Sequence, residues 1–291
     1  MIKTNRQKPL LTVLALLLWQ LVIPLSLLGQ PAYRKANIVK NKVKSVKMFR
    51  HLYDDDNHLV DSLLVRQVFY NARAFPTAIY QYDSLGMTTR YEYDYWEDTL
   101  LMQIHTFSKA DELLSIARFE YTEKKKVKRE IHHTEGVKAF EAIYNYDKKG
   151  TLRSKEVYDE EGKRYKVKFE YNRQSQLLYS RYKYKKHRQT TKEYYDALGR
   201  RIARYLVGKR GGEFCLFRND YVGDTEVHQE RQHEYRSTRT VMELGLRWDV
   251  EKGDVLSKKY FWRSDGLLDW VELSINGELG AVVRHLYDFG T

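Results

Sequence analysis

Aromatic and polar residues alternate along much of the chain. In RYKVKFEY, Arg164 to Tyr171, the residues Tyr165, Val167, Phe169 and Tyr171 are apolar or aromatic, and Lys166, Lys168 and Glu170 between them are charged. A period of two places the two sets on opposite faces of a β-strand. The triplet aromatic–polar–aromatic recurs at Tyr80 to Tyr82, Tyr93 to Tyr95, Phe119 to Tyr121, Tyr144 to Tyr146 and Tyr182 to Tyr184. With the second aromatic as an anchor, anchors fall at Tyr82, Tyr95, Phe107, Tyr121, His132, Tyr146, Tyr158, Tyr171, Tyr184 and Tyr195. Successive anchors lie 11 to 14 residues apart. Such regular spacing marks a repeat of about 25 residues with two similar halves.

Each half reads as a strand and a turn. Gly86, Gly136, Gly150, Gly162 and Gly199 each stand four residues after an anchor. A short hairpin loop with a left-handed residue calls for glycine there. Asp83, Asp147, Asp159 and Asp196 open turns, where a carboxylate can accept a bond from the backbone two residues on. Apolar residues return two positions past the glycine slot, at Leu113, Val127, Leu152 and Leu177. The rhythm extends outward through Tyr53, Trp262 and Ser274, and blurs between 206 and 240. The pattern predicts an all-β fold, a long antiparallel up-and-down meander of about 16 to 18 short strands. One face is tyrosine-rich and the other charged, so the sheet is expected to curl into a barrel-like or sandwich-like form.

The N-terminus differs. Lys3, Arg6 and Lys8 precede an apolar run from Leu10 to Leu28, followed by Gly29. This order describes a secretory signal over residues 1–29, leaving a single repeat domain over 30–291 whose most regular part is 53–205. A retained anchor is the alternative, since the run approaches the length of a membrane span. The chain carries a net charge of +12, and loss of three basic residues with the leader leaves 12 − 3 = +9. The one cysteine, Cys215, precludes an intrachain disulfide. It sits among apolar residues, as a buried structural thiol would.

The phrase YYDALGRRIARY (Tyr194 to Tyr205), with YQYDSLG (Tyr80 to Gly86) and YNYDKKGTL (Tyr144 to Leu152), resembles the YD repeat of the Rhs family of bacterial surface and toxin proteins. The resemblance covers Tyr53 to Tyr205. It implies a spiralling β-sheet in an exported or surface-linked protein, and an association with carbohydrate. The half-repeats here are shorter and more regular than the family's, the chain is too short for a large closed shell, and no separate toxin domain follows them.

Candidate chemistry is sparse. His132 and His133 are adjacent and would face opposite ways on a strand. His228 and His233, with Glu230 and Glu234, form a denser group without a familiar metal spacing. Asp54 to Asn57 lacks the glycine and distal glutamate of a calcium loop. There is no phosphate-binding glycine loop and no nucleophile elbow, so no cofactor is expected. The basic runs are the strongest signal. Lys166, Lys168, Arg181, Lys183, Lys185 and Lys186 are the candidate ligand-binding residues, suited to a polyanionic glycan or other acidic envelope component. Plain solubility of an outward face is the competing reading.

These readings converge on an exported, non-enzymatic binding or structural module of the periplasm or cell surface, not membrane-spanning once mature and without a nucleic-acid partner. An outer-membrane β-barrel is the first alternative. An enzyme with a site in 208–239 is the second.

Overall fold

The computed structural model describes residues 32–53, 59–162, 164–184, 187–208, 211–222, 226–234, 239–243, 246–250 and 253–289. The leader expected over 1–29 lies outside them, as does the Asp54 to Asn57 turn. A short helix, α1 (Ala32–Lys40), precedes the strands. These are β1 (Val43–Tyr53), β2 (Leu59–Tyr70), β3 (Pro76–Asp83), β4 (Gly86–Trp96), β5 (Leu100–Ser108), β6 (Leu113–Tyr121) and β7 (Val127–Thr134). Next come β8 (Val137–Tyr146), β9 (Leu152–Asp159), β10 (Arg164–Tyr171), β11 (Leu177–Tyr184), β12 (His187–Tyr195), β13 (Arg201–Val207) and β14 (Glu213–Val222). The last are β15 (Glu226–Glu234), β16 (Arg239–Glu243), β17 (Leu246–Val250), β18 (Val255–Trp262), β19 (Leu268–Ile275) and β20 (Glu278–Phe289).

Eighteen strands form one antiparallel meander, as the repeat predicts. The remaining pair, β16 and β17, is a separate hairpin between β15 and β18. The segment where the rhythm blurs still supplies β14 and β15 to the large sheet. Pairing also returns to its start: β20 bonds β1 from Val43 opposite Phe289 to His51 opposite Val282, while β1 bonds β2 on its other side. Each strand of the large sheet therefore has a hydrogen-bonded neighbour on both sides, which removes the exposed edges of an open sheet.

The anchor slot has a structural meaning that alternation alone does not give. At Tyr82, Tyr95, Phe107, Tyr121, Tyr146, Tyr171 and Tyr195 the register slips by one residue as the strand ends. Each of these anchors then faces the first apolar residue after the turn or its equivalent, such as Val127 opposite Tyr121 and Leu152 opposite Tyr146. The skipped residue, Lys128 or Arg153 in those two cases, is a β-bulge, and bulges increase twist and bend the strand. A bulge at nearly every hairpin is how this sheet curls.

Anchors at one end are tied further. Tyr95, Tyr121, Tyr146 and Tyr195 donate their hydroxyls to the carbonyls of Pro76, Leu101, Val127 and Leu177, and Tyr287 of β20 does the same to Leu268, at 2.6–2.8 Å. Burial drives the Tyr121 hydroxyl up to about 12, so it remains a donor at neutral pH. The following turns close with paired backbone bonds, as in Asp147 N to Thr151 O (2.9 Å) and Gly150 N to Asp147 O (2.8 Å). The slot four residues after the anchor has positive φ even where it is not glycine, at Asp111, Lys125 and Ser175.

Most buried apolar side chains share the tyrosine face. They gather in clusters drawn from neighbouring strands: Val46, Val68 and Ile79; Leu101, Ile104, Ala117 and Phe119; Phe140, Ala142, Val157 and Tyr165. At one end α1 packs Ile38 against Val43, Ala74 and Leu267, and Asn37 donates to the Gly266 carbonyl at 2.9 Å.

Candidate functional site

Strands β10 and β11 place the predicted cations in register. Lys166 stands directly opposite Lys183, and Lys168 directly opposite Arg181. β12 extends the first row with Arg188 opposite Lys183 and the second with Thr190 opposite Arg181. β9 bounds the rows with Glu156 opposite Lys166 and Ser154 opposite Lys168. Adjacent strands lie about 4.8 Å apart, so like charges meet across the ladder, an arrangement that costs stability. Lys185 and Lys186 lie outside the described residues.

Two carboxylates relieve part of this. Lys166 Nζ lies 2.6 Å from Glu156 Oε1, and an Arg181 guanidinium nitrogen lies 3.1 Å from Glu170 Oε2. Lys168, Lys183 and Arg188 are exposed and form no ion pair among the described residues. Tyr179 joins the same face, with the Arg181 guanidinium 5.7 Å from its ring centre. Farther along, Lys192 and Tyr194 converge on Glu213, Lys192 at 3.0 Å and the Tyr194 hydroxyl at 2.5 Å. The result is a largely exposed, cation-rich surface with an aromatic edge. It can attract an extended anion. Arg188 was not singled out by sequence, although its place just after a turn sets it opposite Lys183.

The tyrosine face holds a second group that the sequence did not announce. Glu130 is buried, and its carboxylate accepts from Tyr144 Oη at 2.6 Å and Lys155 Nζ at 3.3 Å and lies 2.6 Å from His132 Nε2. Burial pushes the carboxyl upward, but the His132 hydrogen bond, the Lys155 charge and the Tyr144 hydroxyl outweigh it and hold the pKa at about 2. Lys155 is pulled below its ordinary range by burial, despite Glu130. His132 stacks on Phe140, with ring centres 3.9 Å apart, so it fills its anchor slot as a core ring. Glu130 is thus fully engaged, and this group reads as a structural network.

Other sequence candidates resolve differently. The side chains of His228, Glu230, His233 and Glu234 lie outside the description. Cys215 is half-buried rather than fully buried. Among the described residues no cluster of His, Cys, Asp and Glu could hold a metal. No helix of the described residues is long and apolar enough to cross a membrane. A membrane-spanning strand ring would need an uninterrupted apolar band on its lipid face. The charged face carries Arg90, Glu92, Arg118, Glu120, Lys166 and Lys168, and the tyrosine face carries Glu130, Lys155 and Glu193.

The chain is similar to a porin-like protein from Bacteroides uniformis, at 10% identity and a TM-score of 0.43, covering 84% of this chain and 98% of that one. It is similar to a porin-like protein from Bacteroides vulgatus at 10% identity and 0.28, with the same coverages of 84% and 98%. It is also similar to part of the Tc holotoxin pore of Photorhabdus luminescens, at 12% identity and 0.33, covering 78% of this chain and 15% of that one. No family model matches the chain, and no curated protein matches it.

Proposed function

We propose that the protein is an exported, non-catalytic module of the bacterial envelope that binds an acidic polysaccharide across the charged face of β10 to β12. The observation that carries this reading is the pair of like-charge rows, Lys166–Lys183–Arg188 and Lys168–Arg181. Such rows are unfavourable in the free protein and are relieved when a polyanion lies over them. The signal-like start and the YD-repeat resemblance support export and a sugar ligand. Tyr179 beside Arg181 offers a ring face next to the charge, suited to a sugar polymer.

The test is titration of the purified chain with polygalacturonate at low and moderate salt. Binding should weaken as salt rises, since exposed charges are screened beyond about 10 Å at 0.1 M. The double variant Lys168→Glu, Lys183→Glu should bind at least about tenfold more weakly while remaining folded, the loss expected from removing and reversing charge at two contacts. Equal affinity in the variant would overturn this assignment of the surface.

A further inference from the structure

A second surface has the features of a more selective site. Between the turn joining β6 to β7 and the turn joining β8 to β9 lies an open cleft of about 440 Å³. Small-molecule sites commonly occupy 300–1,000 Å³. Its walls include Tyr121 and Tyr146, which hold the same slot one repeat apart. Their hydroxyls are committed to the carbonyls of Leu101 and Val127, at 2.6 and 2.7 Å. Both rings are half-buried, so they are fixed in place while part of each borders the cleft. Rings held in advance lose little freedom when a ligand stacks on them.

Three lysines surround these rings. Lys126 bonds the Gly150 carbonyl of the neighbouring turn, and its nitrogen lies 5.7 Å from the Tyr146 ring centre. Lys128 is the bulge residue of β7, and a bulge re-aims its side chain. Lys124 and Lys128 are exposed and form no ion pair among the described residues. Of the two carboxylates present, Asp147 is taken up by the Thr151 amide at 2.8 Å and by Arg153 at 2.7 Å. That leaves exposed Glu123 as an acceptor. Ring faces, cationic donors and one free acceptor suit a molecule rich in hydroxyls that carries a negative charge.

We propose that this cleft binds a carboxylated sugar unit. The proposal takes its ligand class from the function proposed above but uses none of the same residues. The experiment is calorimetric titration with a uronic-acid disaccharide and with the same disaccharide after reduction of its carboxylate to an alcohol. The acidic disaccharide should bind, and the reduced one should bind at least about tenfold more weakly, the loss of one charge-assisted contact. The variant Lys124→Ser, Lys128→Ser should weaken acidic-disaccharide binding by a similar factor without moving Tm, and Lys168→Glu, Lys183→Glu should leave it unchanged. Undiminished binding in the cleft variant, or no disaccharide binding at all, overturns the proposal. Loss only in the β10–β11 variant also overturns it while leaving the charged-face reading intact. Disaccharide binding that is lost in the cleft variant, with polygalacturonate affinity unchanged by Lys168→Glu, Lys183→Glu, supports this site and removes the other.

Discussion

Tyr146 shows how one side chain serves both alternation and closure. Its ring packs on the tyrosine face, and its hydroxyl ties the end of β8 to the start of β7 through the Val127 carbonyl. Tyr146→Phe keeps the ring and loses the bond, so thermal or urea unfolding should show a loss of about 1 kcal/mol. Glu130 makes a different demand, because its carboxylate is buried. Its folded pKa is about 2 against an ordinary 4.5, so its contribution is complete above about pH 4.5 and is lost as pH falls through about 2. The shift corresponds to about 3 kcal/mol. Urea midpoints measured from pH 6 down to pH 2 should fall across that window, and the fall should be shallower in Glu130→Gln. The identity of Glu130 gives no hint of this role; only the register that sets Tyr144 opposite Lys155, beside the Glu130–Ala142 pair, brings the partners together.

At the scale of the element, the unit is a hairpin that ends in an aromatic bulge and a left-handed turn residue. Gly162 has φ +71°, with open space where a side chain would project, so Gly162→Val should cost about 1–2 kcal/mol from backbone strain alone, read as a lowered Tm. Gly150→Val should cost no less, since its new Cβ would also displace the Lys126 amine. The strand-and-turn rhythm was legible because anchors, turn openers and glycines recur in fixed order. The bulge was not, because a slipped register leaves no mark in composition. Alternation also assigned faces imperfectly: Tyr80 packs edge-on against Phe69 at 5.6 Å, opposite Ile79, whose side chain is buried on the tyrosine face. The cation rows were half legible. The sequence names Lys166, Lys168, Arg181 and Lys183, but their direct opposition depends on the turn that sets β11 against β10. Because that opposition is unfavourable, Lys168→Glu should raise stability by a few tenths of a kcal/mol while it weakens polyanion binding. Such a trade-off is what a surface kept for binding would show.

For the whole molecule, the decisive feature is that β1 is bonded by both β2 and β20. The meander brings its beginning and its end together, with Val43 beside Phe289 at one end of the pair. Consecutive hairpins are local and can form in order, whereas the β1–β20 seam joins residues separated by most of the chain, which makes it the slow contact of folding. On a ribosome the polypeptide emerges from its N-terminus, so β1 is made first and can pair with β2 early, yet its other side must wait for the last strand to be synthesised. Throughout that interval an open strand is available to any neighbouring chain. A protein built this way can close its seam only after the whole sheet has been made, so its last folding step waits on the full length of the meander.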